Sequence, residues 1–294
     1  MSNAHGWVDR LNPVAFHFFV PGLGDIAIHW YGLAYLAGFE VGYLLLEGLQ
    51  RRGRLALSKE QVGAFVATTI IGVMVGGRLG YAIFYAPRFF ITLTSRFPFW
   101  ELLAINRGGM ASHGGMIGLA VASLWFARRH GVSPLALSDA LALTGTPGLF
   151  FGRLANFVNG ELYGRPAPSW LPWAVRFPNE LASQRAGPGL TPRHPSQIYE
   201  ALLEGVLLFV VLNAFARKPR PPGVITAWFL ILYAVVRFIG ELFREPDAQV
   251  GLQWLGLSRG QWLSVIMLAA GVALRVVLRR RHQSWAPAGP TLTA

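Results

Sequence analysis

The chain has 294 residues, 53% of them hydrophobic, only 14% charged and none of them cysteine. With a mean hydropathy of +0.42, this describes a polytopic membrane protein rather than one or two soluble domains; the missing thiol excludes disulfides, thiolate metal sites and an enzyme-borne thiol nucleophile. The net charge of +12 is scattered over short loops rather than gathered on one face, which argues against nucleic acid and for anionic lipid as a partner.

Asp9 and Arg10 interrupt the N-terminal segment before Pro21, so no cleavable signal peptide is expected and the first membrane segment directs insertion. Seven helical spans are predicted in chain order: Ile28 to Leu49, Val62 to Tyr85, Ser112 to Ala127, Leu135 to Val158, Ser196 to Phe215, Val224 to Phe243 and Gln261 to Leu278. All are read as helices, because open sheet edges cannot sit in lipid and nothing alternates with period two, so the predicted fold is all-α. The clusters "QRRGR", "ARRH" and "ARKPRP" follow the first, third and fifth spans and "RRRH" follows the seventh. Placed in the cytoplasm, they put the N-terminus outside and the C-terminus inside. We therefore expect a single membrane domain over residues 1–282, with 161–195 as an external loop or small cap and 283–294 as a flexible cytoplasmic tail.

Polar groups inside these spans carry the chemistry. Tyr233, Arg237, Glu241 and Arg244 fall within about 80° of one another on a helix of 100° per residue, a single polar stripe on an apolar rod. An ion pair of Arg237 with Glu241 that only locks helices together is the bland alternative, but intramembrane charges mark function by default. In the fourth span Arg153, Asn156 and Asn159 or Gly160 share about 120° of arc beyond "GTPG", Gly145 to Gly148, where Pro147 removes a donor and kinks the helix. "GGRLGY" sets Arg78 among glycines that suit close helix packing, and "SHGGMIG" sets His113 beside Gly114 and Gly118 at small-xxx-small spacing. By depth, Arg78, Arg153 and Arg237 lie roughly 20 to 27 Å from their cytoplasmic helix ends at 1.5 Å per residue, and Tyr31 and His113 lie near outer helix starts. Three arginines, a tyrosine and a histidine at one depth suit a phosphate-bearing lipid gripped by guanidinium forks. A channel would need polar groups through the full thickness, and only Glu40 and Asp139 lie clearly deeper. The histidines at 29, 113 and 194 lack ligand spacing, so neither a metal nor a diffusible cofactor is expected.

The motifs "IHWYGL", "GGRLGY", "HGGMIG", "GRLANFVNGELYGR", "RHPSQIYEALLEG" and "YAVVRFIGELFREPDAQ" run in one order from Ile28 to Gln249, and through them the chain resembles the bacterial prolipoprotein diacylglyceryl transferases. That resemblance implies a seven-helix, multi-pass protein of the bacterial plasma (inner) membrane. It implies transfer of the diacylglyceryl group of phosphatidylglycerol to the lipobox cysteine thiol of a prolipoprotein signal peptide, forming a thioether and releasing glycerol phosphate. Carried over by position, the family's essential arginines fall on Arg153 and Arg237, its tyrosine, histidine and asparagine on Tyr31, His113 and Asn156, and its motif glutamates and glycine on Glu161, Glu241 and Gly164. Ala155 departs from the glycine usual after "GRL", and the loop from Gly164 to Pro192 is shorter than in relatives.

In the mechanism expected on this basis, Arg153 and Arg237 stabilise the phosphate leaving group, with Arg78 or Arg244 as auxiliaries. His113 is the candidate base for the thiol. Glu241 orients Arg237, Tyr31 and Asn156 bind head-group oxygens, and Gly164 belongs to the same substrate-binding set. A monomer is expected. The alternatives are a transporter for an anionic solute or lipid, which should show polar groups in both membrane halves and internal symmetry, and a scaffold, which should tolerate loss of the arginines.

Overall fold

The computed structural model describes residues 7–21, 24–95, 98–105, 108–178, 191–246 and 251–284. Eight helices dominate: α1 (Trp30–Arg51), α2 (Lys59–Phe84), α3 (Ser112–His130), α4 (Pro134–Thr144), α5 (Thr146–Val158), α6 (Ser196–Phe215), α7 (Val224–Glu241) and α8 (Arg259–Ser284). The all-α expectation needs one correction, because two small sheets accompany the helices. β2 (Val14–Val20) and β3 (Gly24–His29) pair antiparallel, and β1 (Trp7–Val8) pairs parallel with β4 (Val175–Arg176). Aromatic and β-branched residues suit the hairpin, and it claims Ile28 and His29, so the first helix begins at Trp30.

Five described helices are long and apolar enough to cross a membrane: α1, α2, α6, α7 and the Arg259–Arg280 part of α8. The third predicted span corresponds to the 19-residue α3, whose last turn carries Arg128, Arg129 and His130. The fourth is not one helix but two, of 11 and 13 residues, meeting at Gly145. The break follows from Pro147, which has no amide hydrogen for the Leu143 carbonyl one turn back. That carbonyl accepts from Asn213 Nδ2 instead, at 3.2 Å. Many large apolar side chains on the long helices face outward, as a lipid-immersed surface requires.

The chain divides into two compact units, Tyr43–Ala140 and the remainder, Met1–Gly42 with Leu141–Ala294. In the unit Tyr43–Ala140, Ser58 and Gln61 close a reciprocal capping box at the start of α2, at 3.2 and 2.8 Å. Gly131, with φ +65°, ends α3 in the left-handed conformation. Between these ends, α2 and α3 touch backbone to backbone. A Cβ on Gly76 or Gly80 would run into Gly114, and one on Gly118 into Gly72. The small-xxx-small expectation for Gly114 and Gly118 therefore holds as a packing seam.

In the unit containing the termini, α7 packs along α8 and α5 packs against the middle of α6. Residues Ala201–Leu207 of α6 are wound as a π-helix, a form frequent at functional sites. Gly205 lies within that stretch, and a Cβ there would meet the backbone of Phe150, so α5 and α6 are in close contact at this level. Ser258 caps α8, accepting from Gln61's counterpart in this helix, the Gln261 amide, at 3.1 Å and donating its own amide to Gln261 Oε1 at 2.9 Å. The segment 161–195 folds back through β4 and through bridges that pair Gly164 with Arg244 and Pro166 with Arg193, while its residues 179–190 lie outside the described residues. Of the predicted tail, 285–294 also lie outside them, whereas Gln283 and Ser284 belong to α8.

Candidate active site

Arg153 on α5 and Arg237 on α7 are brought together by two residues of α6. Glu200 places Oε1 at 2.7 Å from Arg237 Nη1 and Oε2 at 2.9 Å from Arg153 Nη1. Glu204 repeats the pattern one turn on, with Oε1 at 3.1 Å from Arg237 Nη1 and Oε2 at 3.0 Å from Arg153 Nη2. Each carboxylate thus bridges both guanidiniums, closing an Arg–Glu–Arg–Glu ring across three helices. The ring is layered: the glutamate side chains are 0% exposed, whereas Arg153 and Arg237 retain 16% and 13%. Only the cations can be reached. The Tyr233 hydroxyl adds a 3.4 Å contact to Glu204 Oε2.

Glu241 lies at the edge of this ring. One oxygen pairs with Arg237 Nη2, and Arg244 Nη1 stands 3.7 Å from the same oxygen. The other accepts from Ser258 Oγ at 2.7 Å. Arg244 lies beyond the C-terminus of α7, not within the helix, and it reaches the cluster from the strand-like bridge with Gly164. Three arginines therefore face three glutamates, and the cluster is close to neutral as a whole. Buried charge survives in a membrane protein only when paired in this way.

One turn from Arg153 on α5, the buried Asn156 amide donates to the Tyr31 hydroxyl at 3.1 Å and to Glu161 Oε1 at 2.9 Å. Tyr31, Asn156 and Glu161 therefore form a hydrogen-bonded set beside the arginine pair. Gly164 has a packing duty, because a Cβ would strike the carbonyls of His194 and Phe243. Arg193 secures the same corner, donating to the Gly164 carbonyl at 2.9 Å and to Glu245 at 3.0 Å, with its guanidinium 4.8 Å from the Tyr163 ring centroid. Burial lowers the pKa of His194 there, whose Nδ1 lies 3.3 Å from the Tyr199 hydroxyl.

Arg78 and His113 belong to the unit Tyr43–Ala140. Arg78 does not present an open fork. Its five N–H groups are shared among the carbonyls of Glu101, Leu102, Ala104, Gly108 and Gly109, and its guanidinium lies 4.6 Å from the Phe89 ring centroid. The head-group contact expected for it gives way to a loop-organising one, because a saturated guanidinium has no donor left for phosphate. His113 is exposed in the first turn of α3.

Glu200 and Glu204 are not among the residues predicted from the sequence. Their signal was present: two glutamates four residues apart on one face of an apolar, membrane-length helix.

Comparison with known proteins shows the family. Residues 14–277, from β2 through most of α8, match the family model described as prolipoprotein diacylglyceryl transferase. The chain belongs to this family. It is 45% identical to the phosphatidylglycerol–prolipoprotein diacylglyceryl transferase of Rhodospirillum centenum, over 96% of this chain and 94% of the relative. It is likewise 45% identical to that of Azospirillum brasilense, over 92% and 96%, and 42% identical to that of Bdellovibrio bacteriovorus, over 87% and 91%. Family membership makes the chain a multi-pass membrane transferase, and the arginine pair lies wholly inside the matched region.

Proposed function

We propose that the chain transfers the diacylglyceryl group of phosphatidylglycerol to the cysteine thiol in the lipobox of a prolipoprotein signal peptide, the first step of lipoprotein maturation. The observation that carries the mechanism is the layered pair: two guanidiniums locked side by side with their carboxylates buried behind them. An anion meets cations first. At an effective dielectric of about 20, a phosphate about 4 Å from each guanidinium and about 8 Å from each carboxylate gains about 4 kcal/mol net.

In the reaction, the S–H bond is broken, sulfur bonds to the glyceryl carbon, and the carbon–oxygen bond to the phosphate opens. Glycerol phosphate leaves as a phosphate monoester and gains negative charge in the transition state, so fixed guanidiniums aimed at that oxygen lower the barrier. Arg153 and Arg237 take this role, Arg244 and Glu241 brace Arg237, and Tyr31 and Asn156 bind head-group oxygens. His113 is proposed as the acceptor of the thiol proton on the resemblance alone. A flat pH–rate profile for His113→Gln, where the parent profile bends, is the result that assignment requires.

The reading includes seven membrane passages, with α3 and the α4–α5 pair as the two beyond the five long apolar helices, an outer N-terminus, a cytoplasmic C-terminus, residence in the bacterial inner membrane, and a monomer. A transporter for an anionic solute or lipid is not favoured, since relatives matched over nearly their full length are named as transferases. The test mixes purified protein, phosphatidylglycerol and a lipobox peptide and measures the peptide's mass. Gain of a diacylglyceryl group is expected, and its absence with intact lipid present, or its persistence in Arg153→Ala and Arg237→Ala, overturns the proposal.

A further inference from the structure

We infer a second site, for the phosphate head group of an anionic phospholipid, at the end of α7 remote from Arg237. There the last turn of α6, the first turns of α7 and the last third of α8 enclose a cavity of about 390 Å³, lined by Phe215, Arg220, Val224, Trp228, Arg275 and Arg279 among others. Val224 opens α7 and Arg237 follows thirteen residues later, about 20 Å along the axis at 1.5 Å per residue. The cavity is therefore distinct from the arginine pair described above.

Three features point to a lipid phosphate. First, the cations converge without counter-ions: among the described residues no carboxylate pairs with Arg220, Arg275 or Arg279, and the sequence has no acidic residue after Asp247. This is the reverse of Arg153 and Arg237, each of which is held by buried glutamates. Second, the donors are placed. The Arg220 guanidinium lies 4.1 Å from the Phe215 ring centroid, Phe215 meets Trp228 edge-on at 6.0 Å, and Arg275 and Arg279 stand one turn apart on one face of α8. The N-terminal end of α7, with its partial positive charge, borders the same space. Third, Val272 and Val276 continue that side of α8 toward the middle of the helix and are exposed, a track for acyl chains that a soluble phosphate would not use. Basic pockets between membrane helices take anionic head groups in this way.

Native mass spectrometry of the full chain in detergent, titrated with phosphatidylglycerol, tests the site. Wild type is expected to hold one more lipid than the triple variant Arg220→Ala, Arg275→Ala, Arg279→Ala. Affinity at that site should fall about fivefold for each arginine removed and about a hundredfold for all three. Arg237→Ala should keep this lipid, and the triple variant should keep transferase turnover at saturating lipid, which separates this site from the proposed reaction centre. The triple lysine variant retains the charge and should retain binding, a check that loss in the alanine variant is not loss of fold. Unchanged lipid number and affinity in the triple alanine variant overturns the site. So does equal occupancy by phosphatidylcholine, or displacement of the lipid by an equal concentration of soluble glycerol 3-phosphate.

Discussion

Glu204 grips Arg153 side-on: its Oε2 accepts from both Nε, at 3.2 Å, and Nη2, at 3.0 Å, while its other oxygen reaches Arg237. The orientation of the Arg153 fork is therefore set from behind by a fully buried residue.

Arginine and lysine should not be interchangeable here. An ammonium cannot span Glu200 and Glu204 and still offer a donor on the accessible side. Arg153→Lys and Arg237→Lys are each expected to lower turnover about a hundredfold or more, the scale on which single transition-state donors act. Steady-state assays with phosphatidylglycerol and a lipobox peptide measure this, and near-parental turnover would show that point charge suffices.

Removing Glu204 should cost folding as well as catalysis. Glu204→Ala leaves Glu200 as the one carboxylate that bridges the two guanidiniums and opens a buried gap beside them, and loss of one partner of a buried pair costs about 3 to 5 kcal/mol. Glu204→Gln keeps the shape and an acceptor, so its thermal midpoint in detergent should lie between those of alanine variant and parent. A purely structural role would leave kcat of the folded glutamine variant at the parental value, whereas a role in aiming Arg153 lowers kcat with little change in KM.

The Pro147 break makes a coupled prediction. Asn213→Ala strips the Leu143 carbonyl of its donor and should destabilise by about 1 to 3 kcal/mol. Pro147→Ala restores an amide able to reach that carbonyl, so the double variant should recover part of the loss. A double-mutant cycle on thermal midpoints reads the coupling, and simple additivity would disprove the compensation.

The seam between α2 and α3 should reject even a methyl group. Gly118→Ala drives Cβ into the Gly72 backbone, and overpacking of this kind costs about 1 to 3 kcal/mol. Gly63→Ala, in open space on α2, the partner helix of that seam, should be neutral or slightly stabilising. Equal effects of the two on midpoint or yield would remove the seam argument.

His194 predicts a pH dependence of stability. Burial depresses its folded pKa, while the unfolded value stays near about 6.5. Its stabilising contribution is thus present above about pH 6.5 and is lost as pH falls from there through the lower folded pKa. The midpoint difference between parent and His194→Gln should shrink over that acidic window and stay constant above it.

Part of the cluster is legible in the sequence. The polar stripe of α7 predicted that Arg237 and Glu241 share a face, and the i, i+4 contact is local helix geometry. The GTPG break was legible for the same reason, since proline acts on its own turn. What the periodicity could not show is which arginine meets which carboxylate. Glu200 and Glu204 sit in a segment that reads as an ordinary apolar span, and their partners are 33 to 51 positions away in the chain. Arg78 is the converse case. Its depth and glycine neighbours suited a lipid clamp, yet a loop more than 20 residues downstream consumes every donor it has.

By itself, then, the sequence determined that this protein folds as membrane helices and which polar residues share a helix face, because hydropathy and helical period are properties of neighbouring residues. Only the tertiary structure decided that Arg153 and Arg237 form one reachable pair backed by buried glutamates, and that Arg78 is spent on a loop. Those outcomes depend on which distant backbones approach closely enough for charged groups to pair, and desolvation makes that pairing obligatory.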